Sequence, residues 1–203
     1  MLRYLYEQLL ETKISHAGVP KCVAVILNPG DLDDLGLEMV RRLIAWSEII
    51  GIRSIALYSG DDAPQTYQRI VTELYNARAE ISLHTKDGVE ILGSGGKTKL
   101  LISLGYGGKQ EVSEAIRKLL KDVEIGRISA DDIDEKTIEA KLRFSQKPDL
   151  VIRAGGKQLS DFMIWQAAYS ELYFTDVNWN SLRKTDFLRA IRDYQRRERR
   201  FGR

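Results

Sequence analysis

The residues best suited to chemistry lie together between positions 150 and 160. Leu150-Val151-Ile152 is a short apolar run that reads as a buried strand, and Arg153 stands at its end. Gly155 and Gly156 follow, where a backbone turns tightly and brings its N–H groups close to a ligand. Lys157, Gln158 and Ser160 add a cation, an amide and a hydroxyl. Open α/β sheets bind ligands just past the carboxyl ends of their strands, and a guanidinium, two glycines and a serine placed there suit a phosphate or diphosphate. A plain glycine turn with a solvated arginine fits the spacing equally well.

Other candidates are weaker. Asn28-Pro29-Gly30 ends the apolar run Cys22 to Leu27, and Asp31, Asp33 and Asp34 follow. These carboxylates are of metal-ligand type, but they also read as the acidic first turn of a helix, which the helix dipole favours. Gly93-Ser94-Gly95-Gly96-Lys97-Thr98 has the flavour of a phosphate-binding loop. Ile91 stands where that pattern needs its first glycine, and the residues after it, Leu100 to Leu104, are strand-like rather than helical, so a glycine-rich, hairpin-like connection is expected. His16 and His84 are far apart and have no carboxylate or cysteine cluster at metal spacing; both read as ordinary surface or hydrogen-bonded residues. The single Cys22 excludes an internal disulfide and reads as a buried thiol.

The elements that would position these residues follow a β-α-β pattern. Cys22–Leu27 and Ser54–Tyr58 are strands flanking a helix from about Asp34 to Ile50, whose Leu35, Met39, Leu43, Trp46 and Ile50 share a face. A helix is predicted from Pro64 to about Ile81, strands over 88–92 and 98–104, and helices over 109–123, from a Ser129 cap to about Phe144, and over 185–200. Leu2, Leu5, Leu9 and Leu10 place an N-terminal helix over 2–13, docked on its own core or lying on a membrane or partner; its mixed charge favours docking. Together these predict a single α/β domain over 1–203 with a mostly parallel central sheet flanked by helices, ending in an arginine-rich arm over 192–203. Lys and Arg number 31 against 29 Asp and Glu, a net +2, which does not suit a dedicated nucleic-acid binder. No apolar run reaches transmembrane length and no signal peptide is visible, so a cytoplasmic chain, soluble or peripheral on the membrane, is expected.

The stretch DLVIRAGG…LSDFMIWQAAYSELYFTDVNW, the closing FLRAIRDYQRRERRFGR and the upstream ISLGYGGKQEVSEAIRKL resemble the cis-prenyltransferase family, the undecaprenyl and dehydrodolichyl diphosphate synthases. The resemblance is close over residues 100–203 and looser before them. It implies condensation of isopentenyl diphosphate onto an allylic diphosphate, with Mg²⁺ as cofactor. By the same resemblance, Arg153, Gly155, Gly156 and Ser160 would bind a substrate diphosphate, Glu171 would bind metal, and the terminal Arg200-Phe201-Gly202 would reach a partner's active site. Trp165, Tyr169, Leu172, Tyr173 and Phe174 would lie near a subunit interface.

The chain departs from the family at defined points. Where the family has Asp-Gly-Asn-Gly-Arg, this chain has Asn28-Pro29-Gly30-Asp31-Leu32. Asn28 lacks the anionic oxygens a hard Mg²⁺ favours, and Pro29 has no N–H to donate. Lys157 replaces a glutamate, and the second arginine of the family's Arg-Thr-Ser/Gly-Gly-Glu-x-Arg-x-Ser pattern is missing. The middle region, two helices and a tunnel-walling loop in the family, is one charged helix here. These losses, with the terminal Arg-x-Gly kept, are similar to the non-catalytic Nogo-B-receptor type of subunit. They imply an accessory chain in a heterodimer or heterotetramer with a catalytic cis-prenyltransferase subunit. The alternatives are a self-sufficient homodimeric enzyme with a divergent metal loop, and a non-catalytic polyprenyl-phosphate or protein-binding module.

Overall fold

The structure, a computed structural model, describes residues 2–15 and 18–197. Seven strands form one sheet: β1 (Cys22–Ile26), β2 (Ser54–Ser59), β3 (Ile81–His84), β4 (Val89–Leu92), β5 (Lys99–Leu104), β6 (Leu150–Ala154) and β7 (Glu171–Thr175). Their order is β4-β3-β5-β2-β1-β6-β7, and every pairing is parallel except that of β3 with β4. The helices are α1 (Leu2–Ser15), α2 (Asp34–Ile50), α3 (Pro64–Leu74), α4 (Gly108–Glu124), α5 (Glu135–Lys141) and α6 (Lys184–Arg196). The expected single α/β domain with a mostly parallel sheet is the architecture observed.

Strand residues alternate between two cores, because successive side chains point to opposite faces. Val23, Val25, Ile55, Leu57, Ile102 and Ile152 join a core closed by Leu10 and Ile14 of α1, Leu37, Val40 and Leu43 of α2, and Leu188 and Ile191 of α6. Ala24, Ile26, Ala56, Tyr58 and Leu101 meet Tyr106, Phe144, Phe162 and Met163 on the other face. Asp33 caps α2 by accepting the Gly36 N–H at 2.8 Å, and Gly51 stops the helix with φ 85°. The buried stripe of α2 includes Leu37, Val40 and Ile44 but not Leu35, which is exposed. Cys22 is buried as expected, and burial raises its thiol pKa to about 11.

Several expected boundaries differ. Helix α3 ends at Leu74, and Ile81, expected as its end, instead opens β3. Two backbone hydrogen bonds from the connection after β4 hold the end of α3, the Gly93 N–H donating to the Tyr75 carbonyl and the Ser94 N–H to the Ala77 carbonyl, both at 3.1 Å. The hairpin joins β3 to β4; the glycine-rich loop 93–98 instead leads from β4, past β3, to β5. A Cβ on Gly93 would lie 2.4 Å from the Ala79 carbonyl oxygen, so these glycines serve close backbone packing. Ser129 caps only a 3-10 turn (Ala130–Asp132), and Asp134 caps α5. The aromatic run ending at Phe174 is an edge strand: Tyr169 and Phe174 are exposed, while Leu172 and Tyr173 pack beneath.

His84 is also not the ordinary residue expected. It is buried, its ring meets Phe144 at 5.0 Å, and its Nδ1 has no partner among the described residues. Burial, assisted by the positive charge of Arg143, lowers its pKa to about 4. The folded state therefore takes up this proton later than the unfolded chain. The associated stability is complete above the ordinary histidine range and is lost as pH falls through about 4. His84→Phe should remove an acid-induced loss of up to roughly 3 kcal/mol. Denaturant melts of both proteins between neutrality and pH 4 check this: parallel curves would contradict it.

Candidate functional site

Strands β1 and β6 are neighbours in parallel register, with Ile26 opposite Arg153. The loops that leave their carboxyl ends, Leu27–Asp31 and Gly155–Ser160, therefore lie side by side. Arg153 fastens them together. Its Nε donates to the Gln158 carbonyl at 2.9 Å. Its Nη1 donates to the Ile26 and Ala154 carbonyls at 3.0 and 2.9 Å, and its Nη2 donates to Asn28 Oδ1. The glycines allow this closeness. A Cβ on Gly156 would lie 2.7 Å from Arg153 Nη2, and one on Gly155, which has φ 62°, would lie 2.7 Å from Asn178 Oδ1.

The loop after β1 carries its own anion. Asp31 Oδ2 accepts the Asn28 N–H at 2.7 Å, while the Asp31 N–H donates to the Asn28 carbonyl at 3.1 Å. Burial raises the Asp31 carboxyl pKa, opposed by that Asn28 N–H and by the charge of Arg153. The Asp33 carboxylate caps α2 and accepts both contacts from Asn180 Nδ2, at 3.1 and 3.2 Å. Trp179 donates its ring N–H to the Gly36 carbonyl at 3.1 Å. A Cβ at Gly36 would fall 1.7 Å from the Asp31 carbonyl oxygen, so only glycine lets α2 start this close to the loop.

Ser160 is partly exposed on the β6 loop, and its Oγ accepts the Phe162 N–H at 3.2 Å. Lys157 is exposed beside it. Asp161, which no sequence signal picked out, closes the start of α4: its carbonyl accepts Gly108 N–H at 3.0 Å and its Oδ2 accepts Lys109 N–H at 2.9 Å. Phe162 stacks on Tyr58, with centroids 4.9 Å apart. Burial, then the negative charge of Asp161, raises the Tyr58 hydroxyl pKa.

Glu171 lies elsewhere. It opens β7 opposite Leu150, at the amino edge of the sheet, and its carboxylate pairs with Arg197 at 3.1 Å. Four residue steps of strand, about 13 Å, separate it from the carboxyl edge of the same chain. Arg200 and Gly202 lie outside the described residues. Mg²⁺ takes six oxygen ligands in octahedral geometry and usually one or two carboxylates. Here the Asn28 amide oxygen is held by Arg153, and no group of three or more His, Cys, Asp or Glu among the described residues is arranged to hold a metal. The residues after β1 do not fit the ion the family resemblance implied.

Further along the same edge, a cavity of about 460 Å³ opens between α3 and the β3–β4 hairpin. Pro64, Leu83, Val89 and Leu104 give it apolar wall, but Asp62, Lys86, Asp87 and Glu90 line it too. The Tyr67 hydroxyl donates to Glu90 there. Charged groups interrupt this lining, so it is not the continuous apolar wall a long isoprenoid needs.

Residues 63–202 match the prenyltransferase family described as "Putative undecaprenyl diphosphate synthase". A tritrans,polycis-undecaprenyl-diphosphate synthase (geranylgeranyl-diphosphate specific) of Methanocaldococcus jannaschii is 31% identical over 246 positions, covering 98% of this chain and 88% of the relative. The protein so named in Picrophilus torridus is 50% identical over 104 residues, half of this chain and 41% of its own length. The chain belongs to the prenyltransferase family. Its fold is that of lavandulyl diphosphate synthase from Lavandula x intermedia (TM-score 0.74, 23% identity, 91% of this chain and 99% of that one). It is also that of a "probable undecaprenyl diphosphate synthase" from Campylobacter jejuni (TM-score 0.72, 18% identity, 92% and 100%). As a prenyltransferase-family member the chain is short: the alignment with the M. jannaschii protein has 246 positions against 203 residues here, so at least 43 of them are gaps in this chain. The family match begins at residue 63, beyond the loop that carries Asn28 and Asp31.

Proposed function

We propose that this chain takes part in prenyl diphosphate synthesis, the condensation of isopentenyl diphosphate with an allylic diphosphate. The observation that carries this reading is the pairing of the β1 and β6 loops at the carboxyl edge of the sheet, where the fold class binds its ligands, in a chain related over nearly its whole length to named synthases. Gly156, Ser160 and Lys157 supply an N–H group, a hydroxyl and a cation for a diphosphate, while Gly155, whose N–H donates to the Thr175 carbonyl at 3.0 Å, supplies the turn that brings them there. Arg153 would contribute once some of its backbone contacts are exchanged for phosphate oxygens.

The names of the relatives favour a self-sufficient synthase. One feature of this chain favours the other form of the reading, an accessory subunit of a heteromeric enzyme. The position of the metal-binding carboxylate is Asn28, held by Arg153, and the adjoining backbone N–H is already taken by Asp31. In that form Mg²⁺ belongs to the partner's site, and this chain lends its terminal Arg200-Phe201-Gly202. No described helix is long and apolar enough to cross a membrane.

The test is turnover by the purified chain with Mg²⁺, isopentenyl diphosphate and geranylgeranyl diphosphate, with and without a homologue that has aspartate at the Asn28 position. Little or no product alone, and a large rise on mixing, is expected. Fast turnover by the chain alone would leave the self-sufficient synthase. No effect in either assay would remove the synthase reading.

A further inference from the structure

On the side of the molecule away from the β3–β4 hairpin, α1 and α6 pack together and leave a surface that the proposed reaction does not use. Helix α1 docks through Leu10 and Ile14, which are buried, yet Leu5, Tyr6 and Leu9 remain 58%, 42% and 49% exposed. Along α6, Arg189, Arg192 and Arg196 recur at positions i, i+3 and i+7, which places them on one face. The two rows meet: a groove of about 430 Å³ is lined by Tyr6, Leu9 and Lys13 on one side and by the three arginines on the other. The Arg189 guanidinium sits over the Tyr6 ring, 5.7 Å from its centroid.

The charge here is largely unanswered. Asp193, the acidic residue in the groove, is paired with Arg197 at 2.6 Å. The acidic partner of Arg189 is Asp186, at 3.5 Å. Among the described residues, Lys13, Arg192 and Arg196 make no ion pair.

We infer that this α1–α6 face is a docking surface for a bilayer rich in anionic lipid, with Leu5 and Leu9 entering the acyl boundary and the arginines and Lys13 on the headgroup phosphates. Exposed apolar side chains beside a row of cations are what an in-plane interfacial helix presents. A free anion would satisfy the cations but leave Leu5, Tyr6 and Leu9 in water. A second copy docked by a twofold axis would set the same cations against each other, which the single sign of this face disfavours. The inference stands on this surface alone and does not depend on the reaction proposed above.

Sedimentation of the full chain with large vesicles tests it. Binding to phosphatidylcholine vesicles containing phosphatidylglycerol, weakened by salt and absent with phosphatidylcholine alone, is expected. Arg192→Glu with Arg196→Glu should lower the affinity at least about 25-fold, about five-fold for each cation lost. Leu5→Ser with Leu9→Ser should also weaken it at least about ten-fold. Arg192→Gln with Arg196→Gln, which keeps uncharged side chains in place, is the pair to use if circular dichroism shows the glutamate pair misfolded. Equal binding to neutral vesicles, binding indifferent to both pairs of changes, or displacement by millimolar inorganic phosphate would overturn the inference. So would self-association that the same substitutions abolish, which would assign the face to a second copy.

Discussion

Trp179→Ala should cost about 4 kcal/mol and lower the thermal midpoint by roughly 8–16 °C. Trp179 is the largest fully buried side chain, and its ring N–H crosses to the Gly36 carbonyl in α2, 143 residues away in sequence. Truncation leaves a cavity between α2 and the segment before α6. It also releases the support on which Asn180 reaches Asp33. Trp179→Phe should cost less, about 1–2 kcal/mol, because most of the ring volume stays and mainly the hydrogen bond goes. Denaturant unfolding of the three proteins gives the answer. A loss below 1 kcal/mol for alanine would mean that α2 and the 178–181 segment are not locked as described. The effect should reach the site as well: with its buttress gone, the β1 loop loses the fixed distance between Asp31 and the start of α2 that Gly36 permits.

What was legible in the sequence follows from the period of its apolar residues. Strands β1, β2, β5 and β6 are central and buried on both faces, so they read as continuous apolar runs. Strand β3 is equally buried at Ile81 and Leu83, but it is short, alternates with Ser82 and His84, and follows charged residues that prolong a helical pattern. Strand β7 sits at the sheet edge and exposes Phe174, so it lacks the continuous buried run that marks the central strands. At the site, Arg153 and the glycines stood out by type. Their actual contacts did not, because these depend on the register that sets Ile26 opposite Arg153 and on Asn178 arriving from after β7. Asp161 escaped notice for the same reason: its role at α4 exists only once residues 52 positions apart are brought together.

The C-terminal arm carries the largest expected effect on activity. In a reconstituted complex with a homologue that keeps the metal-binding aspartate, Arg200→Ala should remove about 100-fold of the rate gained on mixing, while the complex still assembles. The ground is chemical: a diphosphate in a dry site is best held by a planar, permanently charged fork, and leaving its oxygens unpaired costs about 3 kcal/mol. Arg200→Lys should recover only part of the gain, since it keeps the charge but loses the paired N–H groups. Gly202→Ala should also reduce it if the backbone turns toward the phosphate there, because a side chain limits that turn. The rival account is general positive charge: the last twelve residues hold six arginines, a suitable end for a helix whose dipole is negative. General charge makes the arginines interchangeable, so Arg203→Ala should then cost as much as Arg200→Ala. Steady-state rates measured without vesicles, one substitution at a time, separate the two. Equal losses would remove the active-site role of the arm; a loss confined to Arg200 and Gly202 would assign these residues to the partner's substrate.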